Sequence, residues 1–314
     1  ADILPDPFYG DNLYLYAPYE YWQWIYKRTF KIPKEMQDKE MLIRLEGVDT
    51  FADIYINGIL VGSTDNMLIS HEFPINSVVV PEKENEIIVH IHSTMNKARA
   101  KDYTMAMRGT GHRNEICWIR KAPHMFGWDI APRLVSAGIW RDIGIITRKS
   151  TRITQTYYAT PKFTNDGIIL SYGYRFVTDH DTLEGFTMRV EGRCSDSTFF
   201  HELPAHFISA NHEIHIKNPK LWWPLGYGEQ PLYEVTMSLL HHGVVMDSRT
   251  EKIGLRTLQL EKNFTPGKQE FLIRVNDVPI FIKGTNWVPL SALHSQDISR
   301  VYEAIGLCVE ARCN

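Results

Sequence analysis

Short runs of alternating apolar and polar residues fill most of the chain. Met41-Leu42-Ile43-Arg44-Leu45 and Ala52-Asp53-Ile54-Tyr55-Ile56 read as strands, because successive side chains of an extended backbone point to opposite faces. The second run continues into Asn57-Gly58 and then Ile59-Leu60-Val61. Both turn residues tolerate positive φ, so the segment predicts a tight hairpin. Ile87-Ile88-Val89-His90-Ile91 alternates again. His90 and His92 share a face there; two histidines alone do not make a metal site, and a solvated face is expected. Short strands punctuated by Gly, Pro and Asn predict a β-sandwich or jelly roll over about residues 1–147.

A second strand-rich stretch follows, with Gly167-Ile168-Ile169-Leu170, Phe186-Thr187-Met188-Arg189-Val190, Glu213-Ile214-His215-Ile216 and Tyr233-Glu234-Val235-Thr236-Met237. Its short, regularly spaced strands suit an immunoglobulin-like sandwich over about residues 148–257. The pattern changes after that. Phe271, Ile273 and Val275 alternate, Asn276-Asp277 makes a turn, and Ile280-Phe281-Ile282 reads as a short, fully apolar strand. Beyond Ser295, Ile298, Val301, Tyr302, Ile305, Cys308 and Val309 fall at helical spacing. A strand, a loop and an amphipathic helix over about residues 258–314 look like the opening unit of a parallel α/β structure. One such unit cannot bury its own apolar faces, so these faces are expected to lack partners within the sequence, and the chain reads as truncated.

The 314 residues, 44% of them hydrophobic, suffice for two or three domains with sizeable cores. A formal net charge of −3 with 23% charged residues gives no polyanion-binding surface, so nucleic acid is not an expected partner. No apolar run reaches the roughly 18 residues that cross a bilayer, and no membrane partner is expected. No signal-peptide pattern opens the sequence. The 12% aromatic content, with eight Trp and fifteen Tyr, fits β-sandwich cores first and stacking on sugar rings second. Cys117, Cys194, Cys308 and Cys313 show no metal-type pairing and read as free thiols. No ligand cluster for a metal and no cofactor motif is visible. One glycosylation sequon is present, Asn263-Phe264-Thr265.

Three stretches carry a family resemblance. Arg120-Lys121-Ala122-Pro123-His124-Met125-Phe126-Gly127-Trp128-Asp129-Ile130-Ala131-Pro132-Arg133, continuing to Gly138-Ile139-Trp140, is the first. The second is Leu221-Trp222-Trp223-Pro224-Leu225-Gly226-Tyr227-Gly228-Glu229-Gln230-Pro231-Leu232-Tyr233, and the third runs from Phe271 to Pro289, through Lys283-Gly284-Thr285-Asn286-Trp287. Their order and spacing resemble glycoside hydrolase family 2, and within it the β-mannosidases. The resemblance implies a mainly β chain: a galactose-binding-like jelly roll, an immunoglobulin-like sandwich and the truncated start of a (β/α)₈ barrel. It also implies a retaining glycosidase acting on terminal β-mannosides, periplasmic or secreted.

Retaining glycosidases use two carboxyl groups about 5–5.5 Å apart. The resemblance places both on late barrel strands, beyond Asn314, so no catalytic residue is expected here and this chain alone should be inactive. The resemblance puts Trp128 and Asp129 at the substrate. A carboxylate can accept two hydrogen bonds from sugar hydroxyls, and an indole can cover a ring face. The structural alternative makes Trp128 an interface plug and Asp129 a turn cap. A salt bridge is expected for Arg120 and a satisfied hydrogen bond for His124, and packing roles for Trp222 and Trp223. Asn286 and Trp287 are expected at a strand end. Ile130 stands where β-mannosidases usually carry a second Trp. This keeps a β-galactosidase, β-glucuronidase or exo-glucosaminidase open, besides a standalone carbohydrate-binding protein.

Overall fold

A computed structural model describes residues 4–36, 39–107, 114–265 and 268–314, with the side chains of residues 263–270 outside the description. The chain divides into two compact units. One contains Ala1–Arg148 with Trp287–Ala304, and the other Lys149–Asn286 with Ile305–Asn314.

In the first unit the strands are β1 (Trp24–Lys31), β2 (Glu40–Leu45), β3 (Val48–Asp49), β4 (Ala52–Ile56), β5 (Ile59–Thr64), β6 (His71–Pro74), β7 (Glu84–Ile91), β8 (Gly138–Ile139) and β9 (Ile143–Arg148). They form antiparallel sheets ordered β1-β7-β4-β5 and β6-β2-β9, with a small β3-β8 ladder. Ile54, Ile56, Val89 and Ile91 from one sheet share a core with Met41, Ile43 and Leu45 from the other. Each buried side chain of this size stabilises the fold by about 1.5–3 kcal/mol relative to exposure. The alternation read in β4 and β7 is the observed inward–outward pattern. In β2, Leu42 is buried as well as Met41 and Ile43, so that strand is covered on both faces. The Asn57-Gly58 hairpin forms with φ of 50° and 80°. Asn57 is also held from outside the turn: its amide donates to the Val78 carbonyl at 2.8 Å, and its Oδ1 accepts from the Glu86 N–H at 2.9 Å. His90 and His92 do share a face, with ring centroids 4.5 Å apart. That face is a partly buried hydrogen-bonded network rather than a solvated one. The His90 Nε2 bonds Gln23 Oε1 at 2.7 Å, and the His92 Nε2 bonds Asp53 Oδ2 at 2.8 Å.

The second unit holds β10 (Arg152–Phe163), β11 (Gly167–Val177), β12 (Phe186–Cys194), β13 (Ser197–Pro204), β14 (Ser209–Lys217), β15 (Tyr233–His241) and β16 (Val244–Ile253). Sheets ordered β10-β11-β14 and β13-β12-β15-β16 close over Leu170, Tyr172, Phe176, Phe186, Met188, Val235 and Met237. This is the expected antiparallel sandwich. Trp222 and Trp223 pack as expected. A Cβ at Gly254 would lie 2.9 Å from the Trp222 side chain, and the Arg256 guanidinium lies 4.8 Å from the Trp222 ring centroid.

A third antiparallel sheet joins β17 (Leu258–Thr265), β18 (Lys268–Val275) and β19 (Val278–Ile280). The Asn276-Asp277 turn has φ of 51° and 63°, which closes β18 and β19 into a tight hairpin. The expected apolar strand at Ile280-Phe281-Ile282 is therefore shifted toward the turn. Only Ile280 belongs to β19 and is buried, whereas Phe281 and Ile282 are exposed. The sequon Asn263-Phe264-Thr265 falls in β17, its side chains outside the described residues. The helix expected after Ser295 is Asp297–Glu310. Ile298, Tyr302, Ile305 and Val309 are exposed on it, and Val301 and Cys308 are half-buried. All four cysteines are free.

Tyr172 is fully buried, and its hydroxyl bonds His201 Nδ1 at 3.0 Å. Burial, assisted by Tyr174, pushes the Tyr172 phenol up to about 12 from its ordinary 10.0. The neutral phenol is the form this core accommodates, so its contribution is whole below pH 10. It falls as pH rises from 10 toward 12, where the unfolded chain ionises first. The second unit should lose about 2 kcal/mol over that interval from this group. Urea unfolding at pH 9 and pH 11.5 measures the loss, and Tyr172→Phe should flatten it.

Candidate functional site

The segment with most chemical promise runs from Arg120 to Ala137, between β7 and β8. Its base is fixed by a buried ion pair. Lys121 and Asp49 are each 2% exposed, and their charged groups are in direct contact. Lys121 also donates to the Ser136 carbonyl at 2.8 Å, and the Ser136 hydroxyl donates to Asp49 Oδ2 at 2.6 Å. Thr50 Oγ1 donates to the other carboxylate oxygen at 2.5 Å. Burial pushes the Lys121 ammonium below its ordinary value, with Asp49 pulling the other way.

The two limbs of the loop are then pinned. Pro123–Phe126 forms a 3₁₀ turn with His124, Met125 and Phe126 buried. Met125 accepts from the Leu134 N–H at 3.0 Å. Arg133 grips Glu20 with two bonds of 2.9 and 2.7 Å and donates to the Phe126 carbonyl at 3.2 Å. Gly127 sits at φ 90° with its Cα facing Arg133, where a Cβ would approach the Arg133 Cβ to 3.2 Å. Only glycine adopts that backbone without strain.

Above these anchors the chain turns back tightly. The Trp128 N–H donates to the Ala131 carbonyl at 2.8 Å, and Ala131 donates back at 3.3 Å. Trp128, Asp129 and Ile130 form the exposed tip, with Trp128 42% and Ile130 62% exposed. Trp128 and Ile130 line a hollow of about 360 Å³ with Phe8, Pro289, Ser291 and Arg300; Asp129 stands outside its lining. Larger hollows of about 650 and 780 Å³ lie beside β10 and between β1 and β9. None of these hollows brings two carboxyl groups together.

Two expectations for the loop fail. Arg120 is exposed and forms no ion pair among the described residues; its carbonyl instead accepts from Met67 N–H at 3.0 Å. The inward, charged position is held by its neighbour Lys121. His124 is 8% exposed, yet its buried Nε2 has no hydrogen-bond partner. Burial pushes this imidazole down, with Asp297 opposing. Trp287 is 52% exposed and Asn286 is exposed, and neither lies in a regular element. The anchoring roles of Asp49, Ser136 and Glu20 carried no sequence signal, since each is a common residue far along the chain from its partner.

A model described as the glycosyl hydrolase 2 galactose-binding domain-like family matches residues 1–141, and one described as glycosyl hydrolases family 2 matches residues 151–256. The chain carries two successive domains of glycoside hydrolase family 2. It is 28% identical over 300 residues to β-mannosidase B of Thermothelomyces thermophilus, covering 91% of this chain and 34% of that protein. It is 26% identical to the β-mannosidase of Mus musculus, over 94% and 35% of the two chains. The chain thus spans about a third of the length of these relatives. The crystal structure of β-D-mannosidase from Dictyoglomus thermophilum superposes with a TM-score of 0.79 at 30% identity, covering 93% of this chain and 36% of that one. A Ruminococcus gnavus β-glucuronidase shares the fold at a TM-score of 0.60 and 17% identity, over 90% and 44% of the two chains.

Replacing Lys121 with Met should destabilise the first unit by about 3–5 kcal/mol, because it strands a buried carboxylate. Adding Asp49→Asn should recover much of that loss. Denaturant unfolding of the two variants measures both, and equal stability of the single and double variants would contradict the account.

Proposed function

We propose that this chain is the front, substrate-facing portion of a retaining exo-β-mannosidase that removes terminal β-linked mannose from oligosaccharides. In this reading residues 1–147 are the jelly-roll domain, 148–257 the immunoglobulin-like sandwich, and 258–314 the approach to the catalytic barrel. The observation that carries the proposal is the likeness over nearly the whole chain to proteins named β-mannosidase from fungi, a mammal and a bacterium. The loop geometry supports it. A rigid base of buried charges and pinned limbs ends in an exposed indole and an exposed carboxylate whose oxygens have no partner among the described residues.

Trp128 covers an apolar face of the terminal sugar and Asp129 accepts from its hydroxyls. The carboxyl pair that forms and hydrolyses the glycosyl–enzyme intermediate comes from residues after Asn314. One carboxylic acid protonates the leaving oxygen while the other attacks the anomeric carbon; the first then takes a proton from water. Fixing the loop before substrate arrives reduces the ordering cost of binding, which is what such positioning contributes to rate.

The product of the complete reading frame, assayed on aryl β-glycosides, should turn over the mannoside in preference to the galactoside and glucuronide. The 314-residue chain by itself should show none of these activities. Hydrogen bonds to a charged group are each worth about 1.5–3 kcal/mol. Asp129→Ala should therefore lower kcat/KM on the mannoside about 100-fold or more, and Trp128→Ala about 10-fold. Strong galactoside turnover with negligible mannoside turnover would defeat the substrate reading. An unchanged kcat/KM in Asp129→Ala would remove that residue from the site. A reading frame that closes after Asn314 would make the chain a carbohydrate-binding module instead.

A further inference from the structure

The first unit contains a second cluster of chemically active side chains, at the foot of the Trp128 loop. His124 lies in the 3₁₀ turn Pro123–Phe126, and His294 and Asp297 lie in and just after another, His294–Gln296. One ligand-capable atom from each of the three falls within 4.8 Å of the others. The His294 Nδ1 and Asp297 Oδ2 are 3.0 Å apart. That contact is a hydrogen bond; two ligands on one tetrahedral zinc stand about 3.3 Å apart at bond lengths of about 2.0–2.1 Å, so an ion would replace this bond with little movement of the pair and would draw His124 in from the wider spacing of the set.

The third member supplies the independent observation. His124 is over nine-tenths buried, and its Nε2 is enclosed without a hydrogen bond of ordinary geometry, the Ser291 backbone exerting only a minor pull on the ring. An unpaired nitrogen in an enclosed site costs about 1–3 kcal/mol, and a cation bound there would satisfy it. The surroundings hold the other two groups in place. The second oxygen of Asp297 accepts from the Ser291 N–H at 2.8 Å. The Trp140 ring lies 5.3 Å from that of His294, and Leu293 packs against Met67, Ala122 and Met125. Ordered bonds to the far side of a ligating carboxylate are characteristic of built metal sites.

We propose that His124, His294 and Asp297 form a binding site for a divalent first-row cation, zinc by donor set, completed by water. Two imidazoles and a carboxylate are borderline donors that suit zinc over magnesium or calcium. The ion ties the base of the Trp128 loop to the segment around His294, which is distant in sequence. Its role is to brace that loop, and the proposal does not depend on which sugar the loop contacts.

The test is calorimetric titration of the chelator-stripped 314-residue chain with zinc chloride alone, in a buffer that does not bind zinc. Saturable binding of one equivalent is expected. The thermal midpoint should rise by about 5–10 °C at zinc concentrations near 100 times Kd. Kd should increase about 100-fold or more in His294→Gln and Asp297→Asn, both partly exposed positions, and in His124→Gln, each with native far-UV circular dichroism. His241→Gln is the control, because His180, His241 and His242 stack closely in the second unit, with ring centroids 4.3 and 4.4 Å apart. Absence of saturable binding, unchanged affinity in His294→Gln and Asp297→Asn, or loss confined to His241→Gln would each overturn the site.

Discussion

A lysine ammonium and an aspartate carboxylate withdrawn from water set the geometry of the first unit's exposed loop. Asp49 comes from a two-residue strand, Lys121 from the start of the loop and Ser136 from its end. Charges this deeply buried tolerate few arrangements, because any shift that separates them leaves an uncompensated ion in a poorly polarisable medium. The pair need not add net stability over an apolar substitute to have this effect. It narrows the conformations of the loop ends, and the Arg133–Glu20 clamp narrows those of the limbs. What is left free is the tip, where Trp128 and Asp129 meet solvent.

Much of the architecture was legible because it rests on local periodicity. The period-two runs at Ala52–Ile56 and Tyr233–Met237 became sandwich strands, Asn57-Gly58 became a hairpin, and the helical spacing after Ser295 became a helix. Where local pattern misled, a neighbouring signal outranked it. The Asn276-Asp277 turn drew Val278 into an antiparallel pairing and ended the strand at Ile280, which left Phe281 outside. In β2 the expected alternation is masked because neighbours cover both faces, which period-two reasoning cannot detect.

The chemistry was legible unevenly for the same reason. Trp128 and Asp129 stand next to each other in a motif, so resemblance could point to them. His124, His294 and Asp297 do not: their nearness depends on a return of the chain that no spacing rule encodes. The sequence alone predicts a satisfied hydrogen bond at His124, and its orphaned nitrogen shows only once the packing is known. The exposure of Arg120 likewise could not be inferred, since nothing in two adjacent basic residues says which of them is buried.

The Arg133–Glu20 clamp joins the loop to a part of the chain more than a hundred residues earlier. A forked guanidinium meeting both carboxylate oxygens cannot be replaced by lysine without losing one contact. The two remote positions therefore act as a single unit, and the N-terminal segment, which looks like a peripheral appendage, is structurally a component of the loop.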